Sequence, residues 1–272
     1  MKKKFHKLGN KAFQSLILLS AIVLSLFFLI ALGNVVWRGL ETFPDLLMNP
    51  EIGFAVRLSL FTSITATLIC VLFALPAAYG LERFRIPFRR FLTVVLNIPL
   101  SLPPLVSGVA LLLLLGNTGF GEQLSRIGLQ FVFSVKGIVL AQFFIITPYM
   151  IKVLRSAIAE IDPKLEFVAR TLGCSQRQAF FRVTLPLCRN GLFAGIIISW
   201  SRAIGEFGCS LMIAGATRMH TETLPVALYL NMSVGNLSTA MGAAVCLILI
   251  SVVSMLIFET SSSFRKKQGR LE

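Results

Sequence analysis

Apolar residues in this chain fall in long blocks, and short polar stretches between them carry nearly all of the charge. Six blocks lie at 14–33, 54–80, 91–116, 136–157, 191–214 and 241–258. Each is close to or above the roughly 18 residues that a helix needs to cross the hydrocarbon core of a bilayer. A β-barrel would instead alternate apolar and polar positions over about 10 residues per strand. The pattern therefore predicts an all-α polytopic membrane protein with six transmembrane helices.

Prolines predict where those helices are irregular. Pro76 should kink or thin the end of the second helix, and Pro148 should interrupt the fourth. The third contains Pro99, Pro103 and Pro104, which together remove three backbone donors. Broken backbone at membrane depth survives only inside protein or beside a water-filled cavity. Pro103 and Pro104 are thus candidate walls of a pathway, or a kink made for packing. Residues 34–53 and 215–239 read as polar connections, and 117–134 as a surface helix or loop.

One connection has its own internal pattern. In DPKLEFVARTLGCSQRQAFFRVTLP, at 162–186, Asp162-Pro163 is a helix start, a capping acid followed by proline at the first helical position. Leu165, Val168, Ala169 and Leu172 follow at the spacing of one apolar helix face. Gly173 stands where a left-handed C-cap belongs. Ser175 and Gln178 fit a capping box that starts a second short helix, and Leu185-Pro186 is expected to stop it. The prediction is two short helices hinged at Gly173, a rigid projection between the fourth and fifth membrane helices.

Composition fits this picture: 56% of residues are hydrophobic and 14% charged. The formal net charge of +14 does not require nucleic acid, because membrane proteins retain Lys and Arg on the cytoplasmic side. Of the 26 Lys and Arg, 20 fall in the tail 1–13, the loop after the second helix, the stretch 152–189 and the tail 259–272. Six helices put all four on one side, so both termini and the 162–186 loop are expected in the cytoplasm. The five cysteines form no CxxC pair and neither His lies near a Cys cluster, so no metal site is expected.

Two charges fall inside an apolar block. Arg202 and Glu206 are four residues apart, on one face of the predicted fifth helix. Charges in the membrane are costly and face a partner or a cavity. Either they line or gate a pathway together with the adjacent Ser201, or they form a neutral pair that locks the helix to its neighbours.

The 162–186 stretch resembles the EAA loop of permease subunits in binding-protein-dependent ABC importers. The family pattern is Glu-Ala-Ala, a three-residue spacer, Gly, and about nine residues to an apolar-Leu-Pro close. Ala169, Gly173 and Leu185-Pro186 match; the acidic position falls on Glu166 or Phe167 according to register, with Glu166 favoured. Phe167-Val168 replaces the smaller pair. SRAIGEFG at 201–208, IPLSLPPLVSGVALLLLLG and VFSVKGIVLAQ are similar to oxyanion permeases. SLMIAGATRMHTETLPVALYLNMSVGNL is most similar to the molybdate/tungstate branch.

The resemblance covers about 54–258 and implies a type I transmembrane domain with a coupling loop at 158–190. It further implies ABC ATPase partners that bind ATP and Mg, an external substrate-binding protein and a second copy of this chain in the cytoplasmic membrane. Glu166, Phe167, Val168, Ala169, Gly173, Leu185 and Pro186 would make up the ATPase-coupling element. No Walker A motif occurs, so ATP hydrolysis would belong to the partner. Sulfate is the alternative substrate. An autonomous channel or secondary carrier is a competing reading, but such carriers often show internal repeats and several intramembrane ionisable groups.

Overall fold

The computed structural model describes residues 2–40 and 49–268, with side-chain surroundings for 13–39 and 49–260. Part of the predicted connection, 41–48, lies outside the described residues, as do most side chains of the two basic tails. Among the described residues every regular element is a helix. Helix α1 spans Lys2–Leu40, well beyond the predicted 14–33. No proline interrupts it, and a lone glycine such as Gly33 costs a helix only about 1 kcal/mol.

Helix α2 spans Pro50–Arg83, starting earlier than predicted because Asn49 caps it, its side chain accepting from the Glu51 N–H at 2.9 Å. Pro76 does not end it; the helix runs seven residues further. The third block is broken as expected, into α3 (Arg89–Ser101) and α4 (Pro104–Gly116), bent by 113° at Leu102-Pro103. A short α5 (Gly119–Arg126) follows, capped by Thr118.

Helix α6 (Val135–Ala159) corrects the expected interruption at Pro148: it is continuous, with Pro148 buried inside it. One missing hydrogen bond is outweighed by packing, since α6 is the central element, lying against both α2 and α8.

The loop helix α7 (Pro163–Thr171) has its Asp162 cap on the Lys164 N–H at 2.9 Å. Gly173 turns the chain at φ +92°, a conformation that costs a residue with a Cβ. The Ser175–Gln178 capping box is present with both of its hydrogen bonds. The expected stop at Leu185-Pro186 is overturned. Helix α8 runs on as Gln176–Ile204, α-helical at Gln176–Ala179, π-helical at Phe180–Thr184 and α-helical again at Leu185–Ile204. The π turn explains the continuity. Pro186 has no N–H and its ring opposes the carbonyl four residues back; widening the turn lets the Leu185 N–H reach the Phe180 carbonyl instead.

The predicted fifth helix, 191–214, is also corrected. It breaks at Gly205–Phe207, and a separate α9 (Gly208–Ala214) follows. The predicted polar loop 215–239 contains α10 (Leu224–Ser233), whose first turn is fully buried. Helix α11 spans Leu237–Gln268.

By length and composition, α1, α2, α6, α8 and α11 can each cross a membrane, and the bent pair α3–α4 supplies a sixth, broken span. The core between α2, α6 and α8 includes Ala66, Cys70, Met150, Leu154, Ile158 and Cys188. Helix α9 packs on α4, α10 on α11, and α1 lies against α11.

Candidate functional site: a braced loop and two facing helix breaks

The loop helix α7 is short, and none of its side chains is fully buried. Its position comes from one residue. Glu166 accepts hydrogen bonds from Arg83 Nε at 2.8 Å, Tyr79 Oη at 2.9 Å and Thr184 Oγ1 at 2.7 Å. Arg83 reaches on with its second nitrogen to the carbonyls of Ile158 and Ile161, at 3.0 and 2.7 Å. The last turn of α2, α7 and the π turn of α8 therefore meet at a single carboxylate, and Arg83 ties the end of α6 to them.

Arg83 and Glu166 side chains are only 9% and 12% exposed. Burial pushes the Glu166 carboxyl up, but hydrogen bonds from Thr184, Arg83 and Tyr79, with the Arg83 charge, outweigh it and hold the carboxyl below the usual range. Tyr79 also packs against Phe180 of the π turn, centroids 4.6 Å apart with the rings tilted at 59°.

With Glu166 turned inward, α7 presents an apolar surface outward. Phe167 is 66% exposed and Leu172 80%, and Leu165 and Val168 are about half exposed. Ala169 is half-buried and Thr184 buried. Pro186 lies on the exposed side of α8, and Leu185 packs against the core. The structure thus divides the two residues that compete for the acidic position of the loop: Glu166 faces the membrane helices and Phe167 faces away.

The second assembly is made of interruptions. Helix α9 begins where α4 begins: a Cβ on Gly208 would lie 3.2 Å from Pro104 Cβ and 3.3 Å from the Leu105 nitrogen. One turn on, Gly108 lets α4 press onto α9, since a Cβ there would lie 2.7 Å from both the Cys209 carbonyl oxygen and Met212 Cβ. The break of the third span and the break of the fifth are in contact. Pro104 is part of that contact, whereas Pro103 is exposed.

Glu206 does not share a helix with Arg202, as the spacing predicted; it follows the end of α8. Its Oε1 accepts from the Cys209 N–H at 2.9 Å, capping α9, and its Oε2 pairs with Arg202 at 2.8 Å. Glu206 is 1% exposed and Arg202 33%. Ser201 points elsewhere, donating to Ser254 of α11 at 2.9 Å. The arrangement holds Glu206 between the α9 backbone and Arg202 and leaves Arg202 partly open.

Sequence reasoning missed Tyr79, Arg83 and Thr184. Arg83 was visible only as one charge in a basic loop. It also missed Gln142, buried in α6, which bridges to the Ala203 carbonyl at 3.0 Å in the last turn of α8.

Comparison with known proteins fits this geometry. The family described as "Binding-protein-dependent transport system inner membrane component" matches residues 70–263. The molybdenum transport system permease protein ModB of Escherichia coli K12 is 37% identical over 83% of this chain and 100% of its own length. A probable molybdenum ABC transporter permease protein of Haloferax volcanii is 34% identical over 92% of this chain and 91% of its own. The sulfate transport system permease protein CysW of Synechocystis is 33% identical over 82% and 81%. Among solved structures, a bacterial ABC transporter involved in the import of alginate has a chain that superposes with a TM-score of 0.71. It is 16% identical, over 97% of this chain and 99% of that one, which establishes a shared fold. The chain is a multi-pass membrane protein with the transmembrane fold of ABC importers, and it belongs to the family of binding-protein-dependent transport system inner membrane components.

Proposed function

We propose that the chain is the permease subunit of an ATP-driven importer for a tetrahedral oxyanion, molybdate or tungstate. The observation that carries the substrate is similarity over the whole length of ModB, supported by the Haloferax relative. Sulfate is the second reading, favoured by the similarity to CysW. In this reading two copies of the chain form the pathway, an external binding protein delivers the anion, and separate ATPase subunits hold ATP and Mg. Both termini and α7 face the cytoplasm, as the distribution of Lys and Arg supports.

The coupling element is α7 with the start of α8. Phe167, Val168 and Leu172 form the apolar seat for the ATPase, and Gly173 sets the angle between the two helices. Glu166 works from behind as a brace. When the ATPases close, α7 moves as a rigid piece; because Glu166 ties it to α2 and the π turn, and Arg83 carries the link to the end of α6, the displacement reaches three spans at once. This is rigid-body coupling of a two-state element. The contact between the breaks of the third and fifth spans is the part that opens and closes. Arg202, one third exposed, offers a transient cationic partner to the anion, with Glu206 holding it in place. Tight binding there would slow release, so no high-affinity site is expected.

Uptake tests this reading. The chain is expressed with its ATPase and binding protein in a strain deleted for oxyanion importers, and accumulation of labelled molybdate and sulfate is measured. Molybdate uptake that is competed by tungstate and not by sulfate is the expected result. Sulfate uptake alone would shift the assignment to the second reading, and uptake of neither would end the oxyanion proposal.

A further inference from the structure

A cavity of about 600 Å³ lies between the end of α2, the polar side of α3 and the last turns of α6, at the same end of the molecule as α7. Its walls are unlike the rest of the helix bundle. Glu82 of α2, Asn97 and Ser101 of α3, and Lys152, Arg155 and Ser156 of α6 all line it. Glu82 accepts from Arg155 at 3.3 Å and from Arg89 at 3.1 Å, so two guanidinium groups share one carboxylate. Lys152 has no acidic partner within 4 Å among the described residues. The walls thus carry one positive charge in excess, Lys152 and Arg155 against Glu82, and Arg89, outside the lining but paired with Glu82, adds a second. Arg155 uses its Nε on Glu82, which leaves its terminal nitrogens for another acceptor. Asn97 spends one N–H on the Thr93 carbonyl at 2.7 Å and keeps a second. The hydroxyls of Ser101 and Ser156 add two further donors.

We infer that this cavity is an oxyanion site, built for a doubly charged tetrahedral anion on the coupling-loop side of the pathway. Lys152 and Arg155 in its walls, with Arg89 held on the far side of Glu82, together supply the charge to balance a dianion. Its donors converge from α3 and α6, two elements whose separation changes if α7 pulls on the end of α6. A transported anion that has passed the breaks would rest here before release. The phosphate of an anionic lipid has the same chemistry, and basic pockets between membrane helices accept such headgroups. The transported-anion version rests on the oxyanion reading above; the site itself does not.

Thiol protection tests the site. Ser156→Cys is introduced into the full-length chain, and its modification by N-ethylmaleimide is followed by peptide mass spectrometry, with the half-exposed Cys174 as internal reference. One arm titrates tungstate into protein in zwitterionic detergent. The other compares nanodiscs of phosphatidylglycerol with nanodiscs of phosphatidylcholine. Tungstate is expected to slow modification of the introduced thiol and leave Cys174 unchanged. Lys152→Gln should raise the protecting concentration about tenfold, the effect of losing one charge-assisted hydrogen bond. Protection seen only in phosphatidylglycerol, and lost with Lys152→Gln, supports the site and assigns it to lipid phosphate. No protection in either arm, or equal protection in Lys152→Gln, overturns the inference. A complex that imports molybdate without protection of this thiol would remove the site and leave the importer intact.

Discussion

Arg83 meets Glu166 at 2.8 Å, joining the last turn of a membrane helix to the first turns of a loop helix 83 residues later in the chain. The pair is nearly buried, and the carboxylate draws its donors from two elements, Tyr79 and Arg83 of α2 and Thr184 of the π turn. Removing one member strands the other. Arg83→Ala is expected to destabilise the chain by about 3–5 kcal/mol, the usual cost of a buried charge left unpaired. Glu166→Gln keeps the shape and an acceptor and should cost less. Thermal unfolding in detergent reads both; equal melting of Arg83→Ala and wild type would show that the brace carries no load.

Phe167 and Leu172 should behave in the opposite way. Both are exposed, so Phe167→Ala and Leu172→Ala are expected to leave stability within about 0.5 kcal/mol. Loss of a buried aromatic or aliphatic anchor from an interface costs about 2 kcal/mol or more. Copurification of the ATPase with the Phe167→Ala chain should therefore fall by more than tenfold at limiting concentration. Undiminished copurification in both variants would place the ATPase elsewhere.

Glu206 has two jobs, capping α9 and balancing Arg202. Glu206→Gln keeps an oxygen for the Cys209 N–H, whereas Glu206→Ala leaves both that donor and Arg202 without a partner. The alanine variant should be less stable than the glutamine variant by about 1–3 kcal/mol. Comparison of their melting temperatures in one detergent decides it, and identical values would exclude the capping role.

Gly108 sits where two helices touch backbone to side chain. A methyl group there would lie 2.7 Å from the Cys209 carbonyl oxygen, too close without movement of α9 against α4. Gly108→Ala is expected to slow transport strongly, because the contact it wedges joins the two broken spans. An uptake assay at matched expression measures this; wild-type uptake would mean that the crossing is not part of the moving region.

Glu222, in the loop before α10, adds a pH dependence. Burial first, and then the hydrogen bond and charge of Glu51, push its carboxyl up to about 7, against the opposing Met219 N–H and Arg218. The folded chain then holds a proton that the unfolded chain releases near 4.5. Between those values the folded state binds more protons, so stability falls as pH rises through the window and levels off above about 7. Glu166 acts in the other direction: its carboxyl is lowered, and its contribution is lost as pH falls. Glu222→Gln should flatten the decline between pH 5 and pH 8 in thermal unfolding; an unchanged slope would assign the effect to another group.

Much of the loop was legible in the sequence. Asp162-Pro163, Gly173 and the Ser175–Gln178 box act through neighbours within a few residues, so their geometry follows from local spacing. The family resemblance rests on the same stretch. The direction of Glu166 was not legible, because it depends on Arg83 and Tyr79, which lie more than 80 positions away. Nor was the break at Gly205–Phe207, where no proline marks the site and Glu206 becomes a cap only once α9 has turned away. Helix α10 was hidden for a related reason: its apolar turn is flanked by Thr, His and Asn, and only packing against α2 and α11 identifies it as buried.

Six apolar blocks and a capped loop determined, from the sequence alone, that the chain is an all-α multi-pass membrane protein with two short capped helices after its fourth block. Hydrophobic length and local capping suffice for that, because both are properties of contiguous residues. Tertiary structure alone decided that Glu166 braces while Phe167 projects, that α8 passes Pro186 through a π turn, and that two helix breaks meet at Gly108 and Gly208. Each depends on which distant backbone or charge arrives alongside, and long-range contact leaves no trace in residue spacing.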